Sequence, residues 1–247
     1  MVLKVLSYNI HRAIGVDRRF RPERIVEILQ YHDPDVALLQ EVDQGVPRSG
    51  RLDLAVELQH ALDYAHLAVG HNVRLRRGRY GNATLSRFPI LRERNIDLTV
   101  GRWRPRGCQH TTLRVERHAG RPVEVEVFNV HLGLSARERM RQVGILARSD
   151  ELVSLPPTRP CVVAGDFNDW RYLLAPIFTE ILGFRCATQR RSGSRGAIRT
   201  FPSFSPTGGL DRIYLRGPIR LLAAHRCRLR IARVASDHLP VIAEIDL

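Results

Sequence analysis

Short apolar runs, each stopped by polar or acidic residues, recur along the whole of this 247-residue chain. Residues 2–10, 35–41, 82–88, 109–117, 122–131, 160–165, 210–215 and 239–245 have the length and composition of strands. In "VEVEVFNV", valines alternate with Glu124, Glu126 and Phe128, which is the period of a half-exposed strand. Residues 109–117 and 122–131 read as a hairpin turning at Ala119, Gly120 and Arg121. Helical periods lie between the runs. Pro22 opens one, with Ile25, Ile28 and Leu29 as its apolar stripe. Residues 51–62 space Leu54, Leu58 and Leu62 for a second. The strongest helix spans 135–153, opened by Ser135 and Glu138 as a capping box. Residues 173–182 complete the set, with Pro176 in the first turn. Residues 188–200 are the one long polar stretch, and no low-complexity linker cuts the chain. This many strands, some in hairpins and separated by helices, predict two sheets covered by helices in a single domain, 1–247.

Composition narrows the class. With 44% hydrophobic residues the chain can bury a core without staples. Cys108, Cys161, Cys186 and Cys227 form no C-x-x-C pair, so neither structural zinc nor a disulfide framework is expected, and Cys161 reads as a buried apolar residue. No apolar run is long enough for a membrane span and no signal peptide is visible, so a cytoplasmic location is expected. The net charge of +14 points to a polyanionic partner, nucleic acid or an anionic lipid surface. Lys4 is the one lysine among 39 basic residues, so a compositional bias toward arginine is the competing explanation.

The polar residues that end the strands carry the chemistry. They are Asn9 and His11, Gln40 and Glu41, Asn129 and His131, Asp166 and Asn168, Asp211, and Asp237 and His238. Any one alone is an ordinary turn former or cap. Brought together, their carboxylates require a shared cation. Oxygen donors without cysteine favour Mg²⁺, then Mn²⁺, and the H-x-x-x-H spacing of zinc sites is absent.

Seven ordered stretches resemble the endonuclease/exonuclease/phosphatase superfamily of DNase I-like metal-dependent phosphoesterases, and within it an uncharacterised small bacterial subgroup. They are "SYNIH" (7–11), "LLQEV" (38–42), "YGNATLSRFPI" (80–90), "NVHLG" (129–133), "AGDFND" (164–169), "LDRIY" (210–214) and "SDHLP" (236–240). The resemblance implies an α+β fold, a four-layer α/β/β/α sandwich of two mixed, mainly antiparallel sheets with helices outside. It implies a metal site at Asn9, Glu41 and Asp237, and catalytic roles for His131, Asp166, Asn168, Asp211 and His238. Asp166 would orient or deprotonate the attacking water, His238 would be held by Asp211, and Asn82 would touch phosphate. The roles of Asp166 and His238 as base stay interchangeable at this level. Gly165 is read as the residue that lets the strand turn, and Phe167 as packing inward.

Arginines beside the motifs, among them Arg79, Arg199 and the Arg102, Arg104, Arg106 set, are candidate phosphate clamps. Trp170 and Tyr172 are candidate rim residues. The expected activity is Mg²⁺- or Mn²⁺-dependent hydrolysis of phosphodiesters in nucleic acid. Two alternatives stay open: a phospholipid headgroup or small phosphorylated molecule as substrate, and an inactive polyanion-binding module. No protein partner is inferable.

Overall fold

The computed structural model describes residues 1–116, 121–190 and 196–247. The first strands along the chain are β1 (Val2–Asn9), β2 (Val36–Gln44), β3 (His66–Arg74), β4 (Arg79–Ser86), β5 (Ile90–Asp97) and β6 (Gly107–Val115). They are followed by β7 (Val123–His131), β8 (Cys161–Asp166), β9 (Arg185–Cys186), β10 (Asp211–Arg216), β11 (Arg220–Arg226) and β12 (Val241–Asp246). These form two six-stranded sheets, ordered β11-β12-β1-β2-β4-β3 and β5-β6-β7-β8-β10-β9. The pairs β1/β2 and β7/β8 are parallel and the other pairings are antiparallel. Helices α1 (Pro22–His32) and α2 (Leu54–Ala61) cover the first sheet. Helices α3 (Ala136–Ala147) and α4 (Asp150–Val153), with a π-helical turn at Ile177–Ile181, cover the second. A short helix α5 (Ala232–Ala235) joins the outer core of the first sheet. The layers are those of the α/β/β/α sandwich expected from the sequence.

The two-residue period of the strands decides which side chains meet. Leu6 and Tyr8 of β1, with Ala37 and Leu39 of β2, face the helices. Leu3, Val5, Val36 and Leu38 face the other sheet, where they meet Val125, Val127, Val162, Ala164 and Ile213. Continuing those inward rows by one or two steps gives Ser7 and Asn9, Gln40, Asn129 and His131, Asp166 and Asp211, all buried. The layer between the sheets is therefore apolar at one end and polar at the other. Its polar end is held by side chains that cross from sheet to sheet, as buried polar groups require. Gln40 Nε2 donates to Asn129 Oδ1 at 2.8 Å, and Asn129 Nδ2 donates to the carbonyls of Leu39 and Ala83 at 3.1 and 3.0 Å. Thr84 Oγ1 donates to Gln109 Oε1 at 2.8 Å.

Some local expectations fail. Ser135 precedes α3, but its side chain makes no capping bond, and Glu138 turns inward to accept from Gln142 Nε2 at 3.0 Å. The 135–153 helix is broken between Ala147 and Asp150 into α3 and α4. The turn after Pro176 is π-helical. Ala119 and Gly120 of the expected hairpin turn lie outside the described residues, while the strands on either side pair through Val115 and Val123. All four cysteines are free. No helix among the described residues is long and apolar enough to cross a membrane.

Candidate active site

The polar end of the inter-sheet layer is centred on Asp166, the last residue of β8 and only 1% exposed. Gly165 does not make a turn, as the sequence suggested, but remains in the ladder opposite Val130 and Arg212. Its φ is +144°, and a Cβ there would stand 1.9 Å from the Val130 carbonyl oxygen. The glycine thus permits a close backbone approach that draws Asp166 against β7. Asn9 Nδ2 donates to Asp166 Oδ2 at 3.1 Å and Asn168 Nδ2 lies 3.3 Å from the same oxygen. The backbone N–H of Asn168 donates to Oδ1 at 2.9 Å, with Asn168 in a left-handed conformation (φ 51°). His131 Nε2 and His238 Nε2 stand 3.6 and 3.7 Å from Oδ2. Phe167 packs inward, edge-on to Phe178 and Tyr214. Asp169 is structural: its two oxygens accept from the N–H groups of Leu173 and Leu174, and buried Arg212 lies 3.6 Å away.

The two histidines are held in opposite ways. His238 Nδ1 is 2.9 Å from Asp211 Oδ2, and Thr200 Oγ1 donates to the same oxygen. Burial alone would lower the pKa of His238, but the Asp211 and Asp166 carboxylates outweigh it and hold the ring charged. Burial raises the pKa of Asp166, with the His238 charge opposing. His131 Nδ1 meets Arg106 Nη1 at 3.3 Å. A guanidinium can only donate, so Nδ1 accepts and the ring proton sits on Nε2, facing Asp166. Burial first, and then Arg106, push the His131 pKa well down, so this ring is neutral.

The turn after β1 gathers the remaining acids. Asn9 reaches Asp166, His11 Nδ1 lies 4.0 Å from Asp237 Oδ1, and Arg12 Nε lies 3.4 Å from Glu41 Oε2. Glu41 sits in a β-bulge: Leu39 and Val42 of β2 pair with Ala83 and Gly81 of β4, so one extra residue is accommodated. Its φ of 57° aims its side chain away from the regular alternation. The structure therefore brings Asn9, Glu41, His131, Asp166, Asn168, Asp211, Asp237 and His238 to one end of the sandwich. Ligand atoms of Asp166, Asp211 and His238 all lie within 4.8 Å of one another, a cluster suited to hold a divalent cation.

The other expected residues are placed differently. Asn82 is fully buried, its Nδ2 donating to the Asn129 carbonyl at 2.8 Å, with Oδ1 unpartnered. Arg79 and Arg199 are exposed. Trp170 is 48% exposed and stands edge-on to Phe201, whose ring lies 4.9 Å from that of His238. Tyr172 lies under the Arg212 guanidinium, 4.8 Å from ring centre. Sequence reasoning missed the roles of Arg12 and Thr200. It placed Arg106 in an arginine cluster without seeing its partner, and no spacing signal links Arg106 to His131.

Comparison with known proteins agrees with this geometry. Residues 6–238 match the Endonuclease/Exonuclease/phosphatase family. The chain is 32% identical over 255 residues to "Uncharacterized protein YbhP" of Escherichia coli K12, covering 99% of this chain and 96% of that one. Among solved structures it is similar to an endonuclease/exonuclease/phosphatase from Beutenbergia cavernae (TM-score 0.78, 22% identity, 100% of this chain and 72% of that one). It is also similar to the mannosyl-6-phosphatase Bt3783 of Bacteroides thetaiotaomicron (TM-score 0.76, 19% identity, 99% of this chain and 100% of that one). With its strand-end acids and histidines gathered around Asp166, the chain belongs to the endonuclease/exonuclease/phosphatase family.

Proposed function

We propose that this chain is a phosphodiesterase of nucleic acid that works with Mg²⁺ or Mn²⁺. One observation carries the reading: Asn9, Asn168, His131 and His238 converge on a single buried carboxylate, Asp166. The donor set of Asn9, Glu41 and Asp237 fits a hard cation, being carboxylates and an amide. Asp211 Oδ1 is a buried carboxylate oxygen with no hydrogen-bond donor, which supports a cation there, and Glu41 Oε2 faces only the Arg12 Nε at 3.4 Å. Glu41, with Asn9 and Asp237, would hold the ion, and Asp211 Oδ1 offers a further oxygen, whereas the charged His238 ring has no lone pair to give a cation. When bound, the ion draws negative charge off the phosphoryl group and steadies the leaving oxygen.

The chain's own groups divide the remaining work. Asp166 orients the attacking water and accepts its proton, with Asn9 and Asn168 fixing the carboxylate. Charged His238, held by Asp211, donates to a non-bridging phosphoryl oxygen. Neutral His131 presents Nε2–H to the same centre. Arg79 and Arg199, both exposed, would contribute to phosphate binding, Asn82 would act from beneath through its bond to the Asn129 carbonyl, and Trp170 and Tyr172 would offer aromatic faces at the rim.

The test is Asp166→Asn assayed with bis-p-nitrophenyl phosphate and with an oligonucleotide in Mg²⁺. Turnover should fall about 10²–10⁴-fold, the range for loss of a general base, with the circular dichroism spectrum retained. Activity within tenfold of the parent would remove Asp166 from the chemistry. A parallel panel of phospholipids and phosphomonoesters decides between nucleic acid and the smaller substrates.

A further inference from the structure

A second feature adjoins the catalytic end, built on the edge strand β11 and the loop before β10. Arg190, Arg199, Arg226 and Arg228 line a cavity of about 470 Å³. Arg226 and Arg228 also border a smaller one of about 190 Å³, together with Arg233. Among the described residues, no acidic residue lines either cavity. Elsewhere arginines meet carboxylates, as in Arg24 with Asp17, Arg48 with Asp43, Arg159 with Glu124 and Arg220 with Asp246. Among the described residues, none of these five does so. The guanidinium hydrogen bond found for them among the described residues runs from Arg226 Nη1 to the Arg199 carbonyl, at 2.6 Å. Burial, and then Arg228, Arg233 and Arg199, lower the pKa of Arg226, the mark of a cation set among cations. Like charges held together without a counter-charge repel, and an anion in the cavity removes that repulsion.

The cavity lies beside the site. Arg226 pairs in the sheet with Val241, three residues after His238. The Arg199 that it grips is followed by Thr200, which donates to Asp211, the partner of His238. We propose that this arginine cavity holds a phosphate of the substrate other than the one cleaved, so that a nucleic-acid strand is gripped at two or more phosphates. The proposal rests on the phosphodiesterase reading of the neighbouring site. A strand suits the lining better than a bilayer does. Insertion into lipid needs exposed apolar side chains, and the apolar members here, Ile198, Pro206 and Ala224, are half-buried among the arginines.

The experiment uses the full-length chain with Arg190 and Arg228 both changed to glutamine. Both residues are exposed, and the circular dichroism spectrum and Tm check the fold. In an Asp166→Asn background, anisotropy follows a labelled single strand of about 12 nucleotides between roughly 50 and 200 mM salt. Each phosphate contact on a single strand contributes about 0.7 to the slope of log affinity against log salt. Losing two should flatten the slope by about 1 to 1.5 and weaken binding several-fold. In the Asp166 enzyme, the ratio of oligonucleotide to bis-p-nitrophenyl phosphate kcat/KM should fall by a similar factor. An unchanged slope, an equal fall on both substrates, or a loss seen on phosphatidylserine vesicles and not on the oligonucleotide would overturn the proposal. A parent enzyme inert toward bis-p-nitrophenyl phosphate would instead refute the phosphodiesterase reading, and the binding measurement would still decide the arginine cavity.

Discussion

Asn129→Leu removes the side chain that ties the two sheets together at their polar end while keeping most of its volume. Asn129 is fully buried and makes three side-chain hydrogen bonds: from Gln40 Nε2, and to the carbonyls of Leu39 and Ala83. Gln40 Nε2 keeps Ser7 Oγ at 3.3 Å and the Leu38 carbonyl at 3.0 Å, so it is not orphaned. The two strand carbonyls lose their donor from Asn129, and a buried acceptor left unpaired costs about 1–3 kcal/mol. Leucine recovers part of this through its own burial, so the net loss should be about 2–4 kcal/mol. With a urea m-value of about 3 kcal/mol/M for a chain of this size, the unfolding midpoint should drop by roughly 1 M. The bulge that aims Glu41 starts at Leu39, so the same variant should raise the Mg²⁺ concentration needed for half-maximal activity. A midpoint shift below about 0.3 M, or unchanged Mg²⁺ dependence, would show that water or a shifted strand replaces the amide. It would also refute the idea that Asn129 sets the Gln40–Glu41 geometry.

Other outcomes follow from the same interactions. If Arg106 acts through His131, Arg106→Met should lower kcat about 10–100-fold with little change in KM, and His131→Asn should mask it. Additive losses in the double variant would show that Arg106 acts on its own. His32 is held neutral: burial first, then His225 and Lys4, lower its pKa from 6.5 to about 4. The unfolded chain therefore takes up a proton as pH falls through 6.5 while the folded chain resists until about 4, so stability declines across that window and is full above it. At about 1.4 kcal/mol per pH unit the decline is at most roughly 3 kcal/mol, and His32→Gln should lose that slope in urea titrations at pH 7.5 and 5. Gly165→Ala should unfold the chain or abolish activity, because its Cβ would overlap the Val130 carbonyl; a Tm within a few degrees of the parent would refute that contact.

The strands that the sequence revealed are the ones with neighbours on both sides. β1, β2, β4, β6, β7, β8, β10 and β12 are interior, and their inward rows must be apolar or hydrogen-bonded. The four that escaped, β3, β5, β9 and β11, are the four sheet edges. β5, "ILRERNID", is exposed along most of its length and carries alternating charges, which protect an edge but erase the apolar period. Asp166, His238 and Glu41 were legible because each interrupts an apolar run where a buried row should continue. Their supports were not. Arg106 meets His131 across 25 residues and Thr200 meets Asp211 across a loop, and nothing local to either pair encodes the contact.

The division of the inter-sheet layer into apolar and polar ends also accounts for one group of strained backbone positions. Of the ten described residues other than glycine with positive φ, His11, Arg12, Glu41 and Asn168, between 46° and 61°, lie where a strand end delivers a side chain to the cleft. A left-handed conformation at a residue other than glycine costs on the order of 1–3 kcal/mol. Regular strands could not place these groups. Alternation would send Glu41 toward α2 and leave Asn168 beyond reach of Asp166, whereas the bulge and the turns re-aim them. The apolar end of the layer and the two outer cores must offset that strain. Stabilising substitutions should therefore be tolerated around Val5, Val125 and Val162. At Glu41 or Asn168, relaxing the backbone with glycine should raise Tm and lower activity together. A glycine there that raises Tm while sparing turnover would show that the strain has no part in positioning the acids.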